Sequence, residues 1–186
     1  MMTAALCREQ DSQLILIDLQ ARLFEAMAPS LSSPALKNWS VLLQASRELD
    51  IPLHVTRQYP KGLGELVDEV ALLLGNEQEM QDKTCFSCCR SDGFLKGLGS
   101  HRKQLILAGM ESHVCVLQTA HELLAEGYEV FVVEDAVCSR AERNHRNAME
   151  RLRQAGVIIT NTESVIFEWL GDAGHAMFKS VSKLIK

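Results

Sequence analysis

Four consecutive apolar residues, Leu14-Ile15-Leu16-Ile17, run straight into Asp18. A strand with one wet face alternates apolar and polar side chains. A run without alternation has to be covered on both faces, which is the situation of a strand in a parallel sheet between helices. The segments 104–108 and 128–133 repeat the pattern, and shorter strands are expected at 53–56 and 157–160, with an extended segment at 78–85. Helical spacing places helices at 34–49, 66–74, 93–99, 114–126, 142–154, 162–170 and 178–185. In the first of these Ser33 is the expected N-cap and Pro34 the first helical residue. Residues 59–64 read as a loop. Strands alternating with helices predict an α/β fold: a three-layer α/β/α arrangement with a mostly parallel, open, Rossmann-like sheet. Ligands of such sheets lie outside the carboxyl ends of the strands.

The 186 residues fit one domain, 1–186, with no internal repeat or linker. The net charge of −5 and the lack of a long basic run speak against nucleic-acid or membrane-surface partners. No apolar stretch approaches the roughly 20 residues of a membrane span. Residues 1–10 lack a signal-peptide pattern, so a cytoplasmic location is expected. Six cysteines are then expected as reduced thiols. Cys85-Phe86-Ser87-Cys88 is formally a C-x-x-C, but no second paired motif completes a zinc site.

The chemistry-bearing stretch is Leu105-Ile106-Leu107-Ala108-Gly109-Met110-Glu111-Ser112-His113-Val114-Cys115-Val116. An apolar run stops at a glycine, a short polar turn follows, and a cysteine stands where a helical pattern opens. A buried structural thiol is the ordinary reading of such a cysteine. Its position at a helix start, with free N–H groups and the positive dipole end, instead suggests a nucleophile with a lowered pKa. Asp18 ends the first strand on the same sheet edge. Lys83, in Asp82-Lys83-Thr84-Cys85, adds a cation. A thiol, a base and a cation are the parts that covalent acyl-type chemistry needs.

Taken in order, these pieces resemble the isochorismatase-like cysteine hydrolases, a superfamily that includes nicotinamidases and N-carbamoylsarcosine amidases. Asp18-Leu19-Gln20 with Phe24 resembles the family's Asp-x-Gln…Phe start, and Lys83-Thr84-Cys85-Phe86-Ser87 its Lys-x-x-Phe-Ser element. Gly109 to Val116 with Thr119-Ala120 is similar to its nucleophile turn and following helix. Gly127-Tyr128, Val132-Val133, Asp135-Ala136, Ser139 and His145 match the downstream framework. The segment 56–64 looks most like the uncharacterised isochorismatase-domain hydrolases.

The resemblance implies a catalytic triad of Asp18, Lys83 and Cys115, with the backbone amides of Glu111 and Cys115 as oxyanion hole and a cis peptide at Met110–Glu111. Gln20, Phe24, Tyr59 and His113 are the expected substrate-pocket residues. Nicotinamidases bind a metal through an Asp and histidines after the second strand. Here His54 lies inside the strand and no Asp-x-His follows, so no metal and no cofactor is expected. Arg57 is a candidate for holding an anionic substrate, though a surface role is more common.

The expected function is a metal-independent cysteine hydrolase. It would cleave a small amide or related C–N substrate through a covalent thioester-type intermediate. The alternatives are a non-catalytic small-molecule binder or oligomeric scaffold on the same fold, and a thiol redox protein using Cys115 with Cys85 or Cys88. A homo-oligomer, dimer or higher, is also expected. The apolar residues Trp169, Leu170, Met177, Phe178 and Val181 are the candidate contact surface.

Overall fold

The computed structural model describes residues 6–185. Its strands are β1 (Ser12–Ile17), β2 (Leu53–Gln58), β3 (Met80–Lys83), β4 (Gln104–Met110), β5 (Glu129–Cys138) and β6 (Ile158–Thr160). The helices are α1 (Ala21–Glu25), α2 (Pro29–Glu48), α3 (Pro60–Leu63), α4 (Asp68–Leu74), α5 (Phe94–Gly97), α6 (Leu117–Ala125), α7 (Glu142–Ala155), α8 (Thr162–Leu170) and α9 (Phe178–Val181).

The strands form one sheet in the order β3-β2-β1-β4-β5-β6, and each neighbouring pair is parallel. Successive strand residues point to opposite faces, and both faces are packed. Leu14, Leu16, Ile106, Ala108, Phe131 and Val133 meet α2, α4, α8 and α9 on one side. Ile15, Ile17, Leu105, Leu107, Val130 and Val132 meet α5, α6 and α7 on the other. Two cores separated by one sheet make the three-layer α/β/α fold. Strand order reverses between β1 and β4, the topological switch point where open α/β sheets bind their ligands.

The differences from the sequence reading are local. Helix α2 begins at Pro29, after Ala28 in extended conformation, and Pro34 lies inside it. Pro29 takes the first-turn role for which its fixed φ suits it. Pro34 has no N–H to give to the Ser30 carbonyl, and burial of Ala35, Trp39 and Leu42 against the sheet offsets that loss. Residues 60–63 are one helical turn rather than loop, entered through Tyr59 at φ +39. The chain before Leu117 is a π-helical turn, Ser112–Val116.

The C-terminal apolar residues are not a free surface. Trp169, Leu170 and Val181 are buried in the first core, Met177 and Phe178 pack on it, and the Trp169 indole donates to Ser12 Oγ at 3.0 Å. The contact surface expected there is therefore used within the chain. Among the described residues no helix is long and apolar enough to cross a membrane.

Candidate active site

Three side chains from three strand ends meet at the carboxyl edge of the sheet. Asp18 follows β1 and has φ +56, a left-handed conformation that Asp tolerates better than most residues. This turns the chain off the strand while the Asp18 amide still donates to the Thr56 carbonyl at 3.1 Å. Lys83 is the last residue of β3, two strands away. Its side chain crosses beneath β2 and, like that of Asp18, is wholly buried.

Lys83 Nζ donates to Asp18 Oδ2 and to Gln58 Oε1, each at 2.7 Å, and lies 3.2 Å from the Phe86 carbonyl and 3.4 Å from that of Cys85. Thr56 Oγ1 donates to Asp18 Oδ1 at 2.8 Å. Every oxygen of the carboxylate thus has a partner, which is the condition for keeping a buried ion pair. Burial pulls the Lys83 ammonium down, but the Asp18 carboxylate and the neighbouring thiols outweigh it and the net shift is upward.

Cys115 stands in the π-helical turn after β4 and is 5 % exposed. The lowered thiol pKa expected from its helix-start position is not found. Burial pushes it up, the Asp18 carboxylate pushes it further, and Lys83 lowers it only in part. A dipole end stabilises a thiolate at an open helix terminus, whereas here the thiol is enclosed and faces a carboxylate. The site therefore sets a thiol with a raised pKa beside the Lys83–Asp18 ion pair.

The turn before Cys115 is strongly constrained. The Met110–Glu111 peptide is cis. The Glu111 carbonyl accepts from the amides of Val114 and Val116, at 3.0 and 3.3 Å, on either side of Cys115. The Glu111 carboxylate is turned away from the thiol and accepts from the Arg140 amide and Nε at 3.0 and 3.1 Å.

The expected pocket residues are dispersed. Gln20 is fully buried and its amide is spent on the Gln58 amide (2.7 Å), the Gln58 carbonyl (3.0 Å) and the Gly64 carbonyl (2.8 Å). It clasps the end of β2. Phe24 packs edge-on against Trp39 with ring centroids 5.8 Å apart. Tyr59 is half exposed, its ring lying over Gly62. His113 Nδ1 is 3.0 Å from Ser139 Oγ, with Asn144 near its other nitrogen.

Tyr59, Pro60, Cys85 and Arg90 line a cavity of about 620 Å³ that borders the site at Lys83; Asp18 and Cys115 are not among its walls. Arg57 has no charge left for a substrate, since its guanidinium pairs with Asp82 (2.8 and 3.1 Å) and with Glu65. His54, inside β2, is held by Gln13 Oε1 at 3.0 Å. Among the described residues no three His, Cys, Asp or Glu side chains converge as a metal site would require.

Thr56 and Gln58 belong to the cluster although their residue types gave no signal, and Cys88, noted in the sequence as part of a C-x-x-C, joins them. Thr56 and Gln58 are two apart on β2, which puts both side chains on one face of the sheet, and Thr56 pairs with Ile17, the residue before Asp18. Cys88 Sγ lies 3.8 Å from Thr56 Oγ1, and its amide takes Thr119 Oγ1 at 2.9 Å, one helical turn beyond Cys115.

Residues 12–164 match the family model described as Isochorismatase domain. The secreted isochorismatase effector Isc1 of Phytophthora sojae is 42% identical over 151 residues, covering 79% of this chain and 72% of the relative. Isochorismatase domain-containing protein 2 of Danio rerio is 40% identical over 179 residues, covering 94% and 86%. Among solved structures, the MAR1 ribonuclease from Caenorhabditis elegans superposes with a TM-score of 0.90 at 37% identity, covering 97% of this chain and 92% of that one. YcaC from Pseudomonas aeruginosa, solved with hexane-2,5-diol and covalent acrylamide, gives 0.86 at 25%, covering 100% and 98%. The Escherichia coli YcaC gene product, an octameric hydrolase of unknown specificity, shares the fold with a TM-score of 0.89 at 24%, covering 100% and 91%.

Proposed function

The chain belongs to the isochorismatase-domain family, and from that premise we propose a metal-independent cysteine hydrolase that opens a C–N bond of a small amide. The observation that carries the reading is the buried Lys83–Asp18 ion pair set against the Cys115 thiol at the sheet's switch point.

The neutral thiol gives its proton to Asp18 as sulfur attacks the carbonyl carbon. Lys83 holds the carboxylate in place and offsets the charge that develops on sulfur. The amides of Glu111 and Cys115 are the proposed donors to the substrate oxygen, where fixed donors contribute most. Asp18 then returns the proton to the leaving nitrogen, and water hydrolyses the thioester. Tyr59 and Phe86 are exposed, and Tyr59 lines the cavity that reaches Lys83. In a homo-oligomer a neighbouring copy could cover these two side chains, and the E. coli protein of this fold is an octamer.

An amidase panel read by ammonia release, with Cys115→Ala as blank, tests the reading. Turnover lost in Cys115→Ala and Asp18→Asn, and kept after exhaustive chelation, is the expected result. A chelator-sensitive rate restored by one added metal would overturn the metal-independent assignment. The C. elegans relative is called a ribonuclease. On this chain the net charge of −5 gives RNA little to hold, so an RNA substrate in the same panel should not be cleaved.

A further inference from the structure

Three consecutive residues of the turn leading to Cys115 are each tied to one short segment, residues 139–145. Glu111 accepts from Arg140, Ser112 Oγ lies 3.0 Å from His145 Nδ1, and His113 lies 3.0 Å from Ser139 Oγ. The tethers are not equivalent. The Arg140 side chain is 60% exposed, so its Nε contact competes with water and only its backbone amide holds the Glu111 carboxylate from a less exposed position. Ser112 and His145 are both buried. Breaking a hydrogen bond between buried partners leaves an unsatisfied group, a penalty that an exposed pair escapes.

Ser112 opens the π-helical turn that holds Cys115. Single π-helical turns tend to occur at functional sites, and this one is braced from outside by α7. We propose that His145 is a positioning residue for Cys115, acting through Ser112 to fix the turn that carries the thiol and the proposed oxyanion amides. The proposal rests on the reading of Cys115 as nucleophile. Burial pulls the His145 imidazole pKa down, which keeps the ring neutral. A neutral ring has one donor and one acceptor nitrogen, and a serine hydroxyl can complement either at Nδ1. The bond therefore does not depend on one tautomer. The placement it enforces matters because the sulfur must be aimed at the substrate carbon, and small displacements are expensive in rate.

Acrylamide serves as the probe. The thiol adds to its terminal carbon, the S–C bond forms as the C=C π bond breaks, and the thiol proton passes by way of Asp18 to the α-carbon. The rate of modification of the Cys115 peptide is followed by mass spectrometry and resolved into kinact and KI, with thermal unfolding measured in parallel. His145→Phe and Ser112→Ala should each lower kinact by roughly tenfold to a hundredfold with KI little changed. The double variant should be no slower than the slower single, since both break one link. His145→Asn, which returns a polar group near the Nδ1 position, should recover most of the rate. A purely structural role would lower the unfolding temperature and leave kinact alone.

Folded His145→Phe and Ser112→Ala proteins with kinact within about twofold of the parent would overturn the proposal. If His145→Phe does not fold, Ser112→Ala decides alone. A parent-like rate in Asp18→Asn, or an unreactive parent, would overturn the triad reading and this proposal together. A dead Asp18→Asn beside parent-like His145 variants would overturn this proposal only.

Discussion

Lys83 keeps a full charge with its side chain wholly out of water because four acceptors surround its ammonium. Lys83→Met should therefore destabilise the fold by about 3–5 kcal/mol, since it strands the Asp18 charge. Adding Asp18→Asn should recover most of that loss in denaturant titrations. His54 and His145 give an acid-side prediction, because burial lowers both pKa values. Below about pH 6.5 the unfolded chain binds protons that the folded one refuses. Stability should therefore be intact above that pH and fall as pH drops toward the folded-state values, with a shallower slope in His54→Gln. At this scale Asp18 stood out because it closes an apolar run and Cys115 because it stands where a helical pattern opens, whereas Lys83 and the grouping of the three came only from the family resemblance. Thr56 and Gln58 were not visible, because their part depends on β2 lying beside β1. The Cys115 pKa was misjudged because a dipole argument omits the thiol's enclosure and the facing carboxylate.

Among the elements, β4 has the least room. Gly109 has φ +126, and a Cβ there would meet the Ile17 carbonyl oxygen at 2.1 Å and its carbon at 2.8 Å. All of these are backbone atoms of β1 that cannot step aside. Gly109→Ala should thus cost upwards of about 3 kcal/mol, near the diagnostic end for single substitutions, and be seen as lost soluble protein or a lowered unfolding midpoint. Helix α2 supplies a milder case. Its Trp39 indole donates to the Ala136 carbonyl at 2.7 Å in the first core. Trp39→Phe should cost about 1–3 kcal/mol, because it orphans that buried carbonyl as well as thinning the packing. The interior strands β1, β4 and β5 were legible from unbroken apolar runs, whereas the edge strand β3, Met-Gln-Asp-Lys, has none. The start of α2 was not, because Pro29 and Pro34 both carry a helix-start signal and only packing decides between them. Strand β5 runs to Cys138 because its pairing with β4 shifts register between Leu107 and Gly109, an irregularity that no residue pattern announces.

Across the whole molecule, the buried thiols set an alkaline limit. Burial pushes Cys88 up to about 11 and Cys89 and Cys138 up to about 12, with Cys7 and Cys115 also raised. In the unfolded chain these groups ionise near pH 8.5. Their contribution should be complete below that pH and lost as pH rises through the folded values, so stability measured by denaturant should decline on the alkaline side. The three-layer order followed from the alternation of strand and helix patterns. The dispersal of Gln20 and Phe24 into packing roles did not, because only the closed sheet shows which side chains are already spoken for. The cation of the site hangs on β3, a four-residue strand paired on one side only. Short edge elements open far more readily than the interior strands beside them. On gentle heating the reactive centre should fall silent while most of the sheet still resists hydrogen exchange. Heat inactivation of this protein would then report the fraying of one margin, well before the melting of the body.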